Sequence, residues 1–199
     1  MAYQRGAFNI DRHLKWFIPH PTKFRNMQCK TGTIISGSNV VQFLDRTYYE
    51  GADLDIYVNP GHGREVGVHM IEQQGYRVVD RNADGGPVTL DTTASLRYVG
   101  IVAKGADDQA LNSIYQQRSI HLVCYMEKAN DAGQTLQVQI IVTADCVFHA
   151  IMNFHSSTWQ YEETVMFLHI LCSMRHEYHH IRQGRVALSA GHIRQTDQP

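Results

Sequence analysis

Residues 32–58, GTIISGSNVVQFLDRTYYEGADLDIYV, decide how this chain is read. A β-branched run, Thr33 to Ile35, ends at Ser36-Gly37-Ser38. A short segment follows with Val40, Phe43 and Leu44 spaced for one side of a helix. Tyr49-Glu50-Gly51 then turns the chain into an alternating run from Asp53 to Val58. In that run positions 53, 55 and 57 share one face, and Leu54, Ile56 and Val58 point into a core. Asp53 and Asp55 therefore lie side by side on one strand face, roughly 6–7 Å apart along the strand. Neither carboxylate gains an apolar contact there, so the pair is either a solvated strand edge or a metal site.

Working outward, residues 10–30 form a helical entry interrupted by the X-Pro pairs at Pro19 and Pro21. Asn59-Pro60-Gly61 stops the aspartate strand. Arg64 to Gln74 carries Val68, Met70 and Ile71 at helical spacing, closed by Gly75. Residues 78–95 are turn-rich and read as a surface loop or small ribbon. A short helix is expected over Leu111–Gln117. Two strand-like runs, Ile120–Glu127 and Leu136–Thr143, flank Ala129-Asn130-Asp131-Ala132-Gly133, a hairpin signal. Asp145 is placed to cap a helix over Cys146–Phe154, and a longer helix is expected from Tyr161 to about Gln183. The fold class that follows is α/β (α+β): a mixed sheet of residues 32–36, 53–58, 120–127 and 136–143, flanked by helices. The domain reading is a helical entry at 1–30, the sheet domain at 31–157 and a divergent C-terminal helix and loose tail at 158–199.

The bulk numbers constrain this without naming a function. With 199 residues the chain is long enough for one domain with a substantial core. Its 18 basic and 19 acidic residues nearly cancel, so overall charge indicates no nucleic-acid partner. No apolar run approaches the roughly 20 residues of a membrane span, and the N-terminus lacks the apolar core of a signal peptide. The four cysteines, Cys29, Cys124, Cys146 and Cys172, are scattered, with no CxxC pair. An intracellular protein, cytoplasmic or nuclear, with reduced thiols is expected.

The order strand, Gly-Ser, short helix, Asp-Leu-Asp strand resembles the signature of the DNA polymerase β-type nucleotidyltransferase superfamily. ISGSNVVQFLDRTYYEGADLDIYV, with FRNMQCKTGTIISGS before it and HAIMNFHSS (149–157) after it, is most similar to a group of largely uncharacterised fungal proteins with this fold. The likeness covers about residues 10–157 and is most specific over 31–58. It implies that Gly37 and Ser38 contact the phosphates of a nucleoside triphosphate. It also implies that Asp53 and Asp55 hold Mg²⁺, and that a third carboxylate sits mid-strand on a later element. The matching segment, LQVQIIVT, offers Gln139 at that position. A glutamine brings a neutral carbonyl and cannot act as a general base. Two Mg²⁺ ions carry four positive charges, of which two aspartates offset half. Glu127, near the end of the preceding strand, and Asp145, two residues after the relevant strand, are the acids that could substitute, though neither is at the expected mid-strand position.

Three readings stay open from the residues and the likeness together. One is a nucleotidyltransferase-fold protein that binds a nucleotide with divalent metal but has impaired or altered transfer chemistry. Another is an active metal-dependent nucleotidyltransferase. The third is a zinc hydrolase, because His176-Glu177-Tyr178-His179-His180 matches HExxH, which on a helix sets His176 and His180 one turn apart beside Glu177. Twelve histidines in the chain make a chance match easy. The likeness to the fungal group stops after Ser157, which a divergent end or a reading-frame change in the gene model would equally produce. Tyr48 and Tyr49 either stack on a base or pack on the sheet, and Arg46 and Lys104 are single basic residues of the kind that contact phosphate or simply face solvent. The acceptor, the base and the oligomeric state have no signature.

Overall fold

The structure is a computed structural model, and it describes residues 9–81, 85–104 and 120–152. Two helices open it, α1 (Ile10–Leu14) and α2 (Pro21–Thr31). Pro21 starts α2, where its missing N–H costs nothing, and Gly32 ends it in the left-handed conformation (φ 65°). Strand β1 (Ile34–Ser36) leads through Gly37 into α3 (Ser38–Asp45), and β2 (Leu54–Val58) follows. Helix α4 (Gly63–Gln74) closes at Gly75 as its sequence predicts. Next come β3 (Arg77–Arg81), β4 (Pro87–Thr89) and α5 (Thr92–Lys104). The hairpin of β5 (Ile120–Ala129) and β6 (Thr135–Thr143) precedes α6 (Val147–Met152). Asn130 Oδ1 accepts from the backbone N–H groups of Ala132 and Gln134, fixing that hairpin's turn and its register.

The strands form one six-stranded mixed sheet in the order β1-β2-β6-β5-β3-β4. Strands β2 and β6 run parallel and the other neighbours antiparallel. The expected four-strand sheet is thus extended by β3 and β4. The ribbon reading of 78–95 holds in part, since β3 pairs with β4, but β3 also joins β5. Helix α5 was not expected. Its N-terminus is capped by Asp91, whose Oδ1 accepts from Ala94 N at 2.8 Å.

The main core lies on one sheet face. Leu54, Ile56, Val58, Val138, Ile140 and Met126 meet Phe24, Val66, Met70 and Val99 from the helices there. Gly67 lets α4 approach α5 closely, for a Cβ on it would lie 2.5 Å from Val99 Cγ1. Ser95, fully buried, accepts from Val78 N and so ties α5 to β3. Tyr76 donates to the Phe17 carbonyl, and the Lys128 ammonium donates to the carbonyls of Phe17 and Gln74. Together they bind the chain after α1 to the sheet.

The second face is covered at one end by α6, where Ile34, Tyr57, Ile141, Val147 and Ile151 cluster. The cap of α6 differs from expectation. Val147 N donates to Asn59 Oδ1 at 3.0 Å, while Asp145 lies 3.8 Å from His149 Nδ1. The physical reason is that Asn59, at the end of β2, already sits over the helix start. Its Nδ2 holds the carbonyls of Thr31 and Gly32 on the other side. The expected helices at 111–117 and 161–183 fall outside the described residues. No helix among the described residues is long and apolar enough to cross a membrane.

Candidate functional site

The register of three strands builds the site. In β1–β2 Ile34 pairs with Tyr57 and Ser36 with Asp55. In β2–β6 Tyr57 pairs with Ile141 and Asp55 with Gln139, and in β5–β6 Gln139 pairs with Tyr125. Cα partners share a face, so two adjacent rows cross the sheet. Ile34, Tyr57, Ile141 and Val123 form an apolar row that α6 and its neighbours cover. Ser36, Asp55, Gln139 and Tyr125 form the next row, beyond that cover. The carboxylates lie where the second face passes from apolar to polar.

Gly37 brings the turn that opens α3 to the same point. It takes φ 82°, ψ −160°, a conformation essentially reserved for glycine, at the N-cap of α3. A Cβ built on it would collide with Asp55 Oδ2. The Asp55 carboxylate therefore rests directly on the turn that opens α3, and the N–H groups of that helix start face the same region. Asp53 precedes β2 by one residue and is half-buried. Gln139 Nε2 donates to Asp53 Oδ2 at 2.5 Å. The structure thus brings Gly37, Asp53, Asp55 and Gln139 together, with Ser38 as the first residue of α3.

The two substitute acids are placed elsewhere. Glu127 shares the face of Gln139 but pairs with Gln137 and Arg77, and its carboxylate accepts from the Thr89 hydroxyl of β4, toward the other edge of the sheet. Because β2 and β6 are parallel, Asp145, beyond the end of β6, lies at the opposite end of the strands from Gln139. Among the described residues no three His, Cys, Asp or Glu side chains converge on one point. Two carboxylates and an amide carbonyl form an oxygen donor set with a charge of −2, which matches one hard divalent cation. The HExxH residues His176, Glu177 and His180 lie outside the described residues, as does Cys172.

A cleft of about 560 Å³ adjoins this site. One wall is α1 with the turn after it, the other is α3 with the loop that leads to Ala52, the residue before Asp53. Asn39, Gln42, Phe43 and Arg46 line it at helical spacing. Tyr48 and Tyr49 do not pack on the sheet. They line the cleft, 65% and 41% exposed. Sequence reasoning flagged the two tyrosines but missed the N-terminal wall, because nothing in residues 10–20 reveals that they face α3. His13 makes that connection, with its Nε2 2.9 Å from Asn39 Oδ1.

No family model matches the chain, and the comparisons with curated proteins and with solved structures found no match.

Proposed function

We propose that this chain is a nucleotidyltransferase-fold protein that binds a nucleotide with a divalent metal ion, with transfer chemistry impaired by Gln139. The observation that carries this reading is the contact between the Asp55 carboxylate and the Gly37 turn, with Gln139 in register beside Asp55. Asp53 and Asp55 would hold Mg²⁺, and Gly37 and Ser38 would take the phosphates. The ion would bridge carboxylate and phosphate oxygens and offset their charge. Gln139 holds Asp53 through an N–H and supplies no charge. The donor set therefore favours binding with one metal ion over a two-metal transfer, which needs more negative charge and a base at the acceptor.

The test is calorimetric titration of ATP, GTP, CTP and UTP with and without Mg²⁺, on the wild type and on the Asp53→Asn/Asp55→Asn double variant. Metal-dependent binding is expected in the wild type and at least about tenfold weaker in the variant. No metal-dependent binding, or equal binding by both proteins, overturns the reading.

A further inference from the structure

Gln42 is 5% exposed, and its amide has two ends with different fates. Oε1 accepts from Tyr49 N at 3.1 Å, which fixes the orientation, because an NH2 group cannot accept from an N–H. Nε2 is buried and has no hydrogen-bond partner among the described residues. A buried donor left unsatisfied is costly, and native proteins usually pair such a group. Gln42 lines the cleft between α1 and α3, and a small shift of its side chain would bring this donor to an acceptor placed in that cleft.

The other walls say what kind of molecule brings the acceptor. Trp16 and Tyr48, 46% and 65% exposed, meet edge to face across the cleft with ring centroids 6.2 Å apart. Tyr49 stands beside them, 41% exposed. Exposed rings with open faces are platforms for a flat π-system. Arg12 and Arg46 supply positive charge, and among the described residues no aspartate or glutamate lines the cleft. Arg46 occupies the left-handed C-cap of α3 (φ 54°), a place that glycine more commonly takes. The volume of about 560 Å³ falls within the roughly 300–1,000 Å³ of small-molecule sites.

We propose that this cleft is a binding site for a planar heteroaromatic anion. The ring stacks on Trp16, Tyr48 and Tyr49, a ring acceptor takes the Gln42 Nε2 hydrogen, and an anionic substituent lies toward Arg12 and Arg46. The site needs no metal and stands without the nucleotide reading of the Gly37 turn.

The experiment uses five probes that share this chemistry: AMP, GMP, CMP, UMP and flavin mononucleotide, each titrated in EDTA. The chain has two tryptophans, Trp16 and Trp159, so Trp159→Phe leaves Trp16 as the only indole reporter. Saturable quenching of Trp16 fluorescence is expected with at least one probe, with calorimetry of the unmodified chain giving the same affinity. The probe that binds separates a nucleobase from a flavin ring. Tyr48→Ala, on a mostly exposed side chain, is expected to weaken binding about tenfold. Gln42→Glu keeps the oxygen that accepts from Tyr49 N but removes the donor, and at pH 8 a loss of tenfold or more is expected. Asp53→Asn/Asp55→Asn binds the same probe unchanged, which separates this site from the metal-dependent one. Absence of saturable binding for all five probes below 10 mM (about −2.7 kcal/mol) overturns the proposal. Binding that Tyr48→Ala and Gln42→Glu both leave unaltered also overturns it.

Discussion

The Asp55 carboxylate fills the space that a side chain at Gly37 would need. One glycine thereby serves two demands, a backbone angle closed to other residues and a surface on which a carboxylate can rest. Gly37→Ala should lose stability on both counts. The backbone term is about 1–3 kcal/mol, and the displaced carboxylate adds to it. A total of about 2–4 kcal/mol in urea unfolding is expected, with metal-dependent nucleotide binding weakened tenfold or more. Adding Asp55→Ala to Gly37→Ala should recover the steric part but not the backbone part. Strict additivity in that double-mutant cycle would show that the two residues do not compete for space.

Gln139 pairs with Asp55 and donates to Asp53. Replacing it by aspartate puts a third negative charge at that point and removes a donor. Without metal, Gln139→Asp should lose about 1–2 kcal/mol through like-charge repulsion and the lost hydrogen bond. Mg²⁺ should more than restore it, so the melting temperature of the variant should rise several degrees further with Mg²⁺ than that of the wild type. A melting curve equally insensitive to Mg²⁺ in both proteins would remove the metal-site reading of this corner.

How much of this was legible follows from particular residues. The turn at Gly37, the alternation of 53–58 and the hairpin around Asn130 are local signals, and each structure formed where its residues indicated. The register Asp55–Gln139 was reached only through the likeness to a family motif, because a parallel pair 84 positions apart leaves no local trace. Helix α5 had a readable start, Asp91 followed by Thr92-Thr93-Ala94, but the turn-formers from Asn82 to Pro87 drew the whole stretch toward a loop reading. The cap of α6 was assigned to Asp145 by proximity in sequence, whereas Asn59 reaches it across the fold. Gln42 is the sharpest case. Within a helical run it looks like an exposed polar residue, and only tertiary packing makes it 95% buried with a bare amide N–H.

Asn59 joins three elements through one side chain, holding the carbonyls of Thr31 and Gly32 and the N–H of Val147. Asn59→Ala should cost about 2 kcal/mol, somewhat more than one average hydrogen bond, because the start of α6 loses its acceptor. Hydrogen exchange should locate the effect. Amides of 149–152 should exchange faster while those of α4 keep their protection. Uniform acceleration across the sheet would mean that Asn59 supports the global fold and not this junction.

Stability against pH should be set in alkaline solution by Lys128 and Cys124. Burial pulls the Lys128 ammonium down from 10.5 to about 8, only partly countered by Asp131. Between pH 8 and 10.5 the unfolded chain therefore keeps a proton that the folded chain has released, and stability rises with pH. Cys124 has the opposite sign. Burial, assisted by Asp80, pushes its thiol up from 9.0 to about 12. From pH 9 to 12 the folded chain retains a proton that the unfolded chain has lost, so stability falls. Tyr76, raised above 10 by burial, adds to the fall above pH 10. Urea unfolding followed from pH 7 to 10.5 should thus show an increase between 8 and 9, a near-plateau from 9 to about 10 where the two terms oppose each other, and a decline above 10. Lys128→Met should abolish the increase and expose a fall from pH 9 upward, and Cys124→Val should let the increase continue past pH 9 toward 10. A wild type whose stability only falls from pH 7 upward would show that the carbonyls of Phe17 and Gln74 and the Tyr76 ring, all of which favour the cation, outweigh its burial.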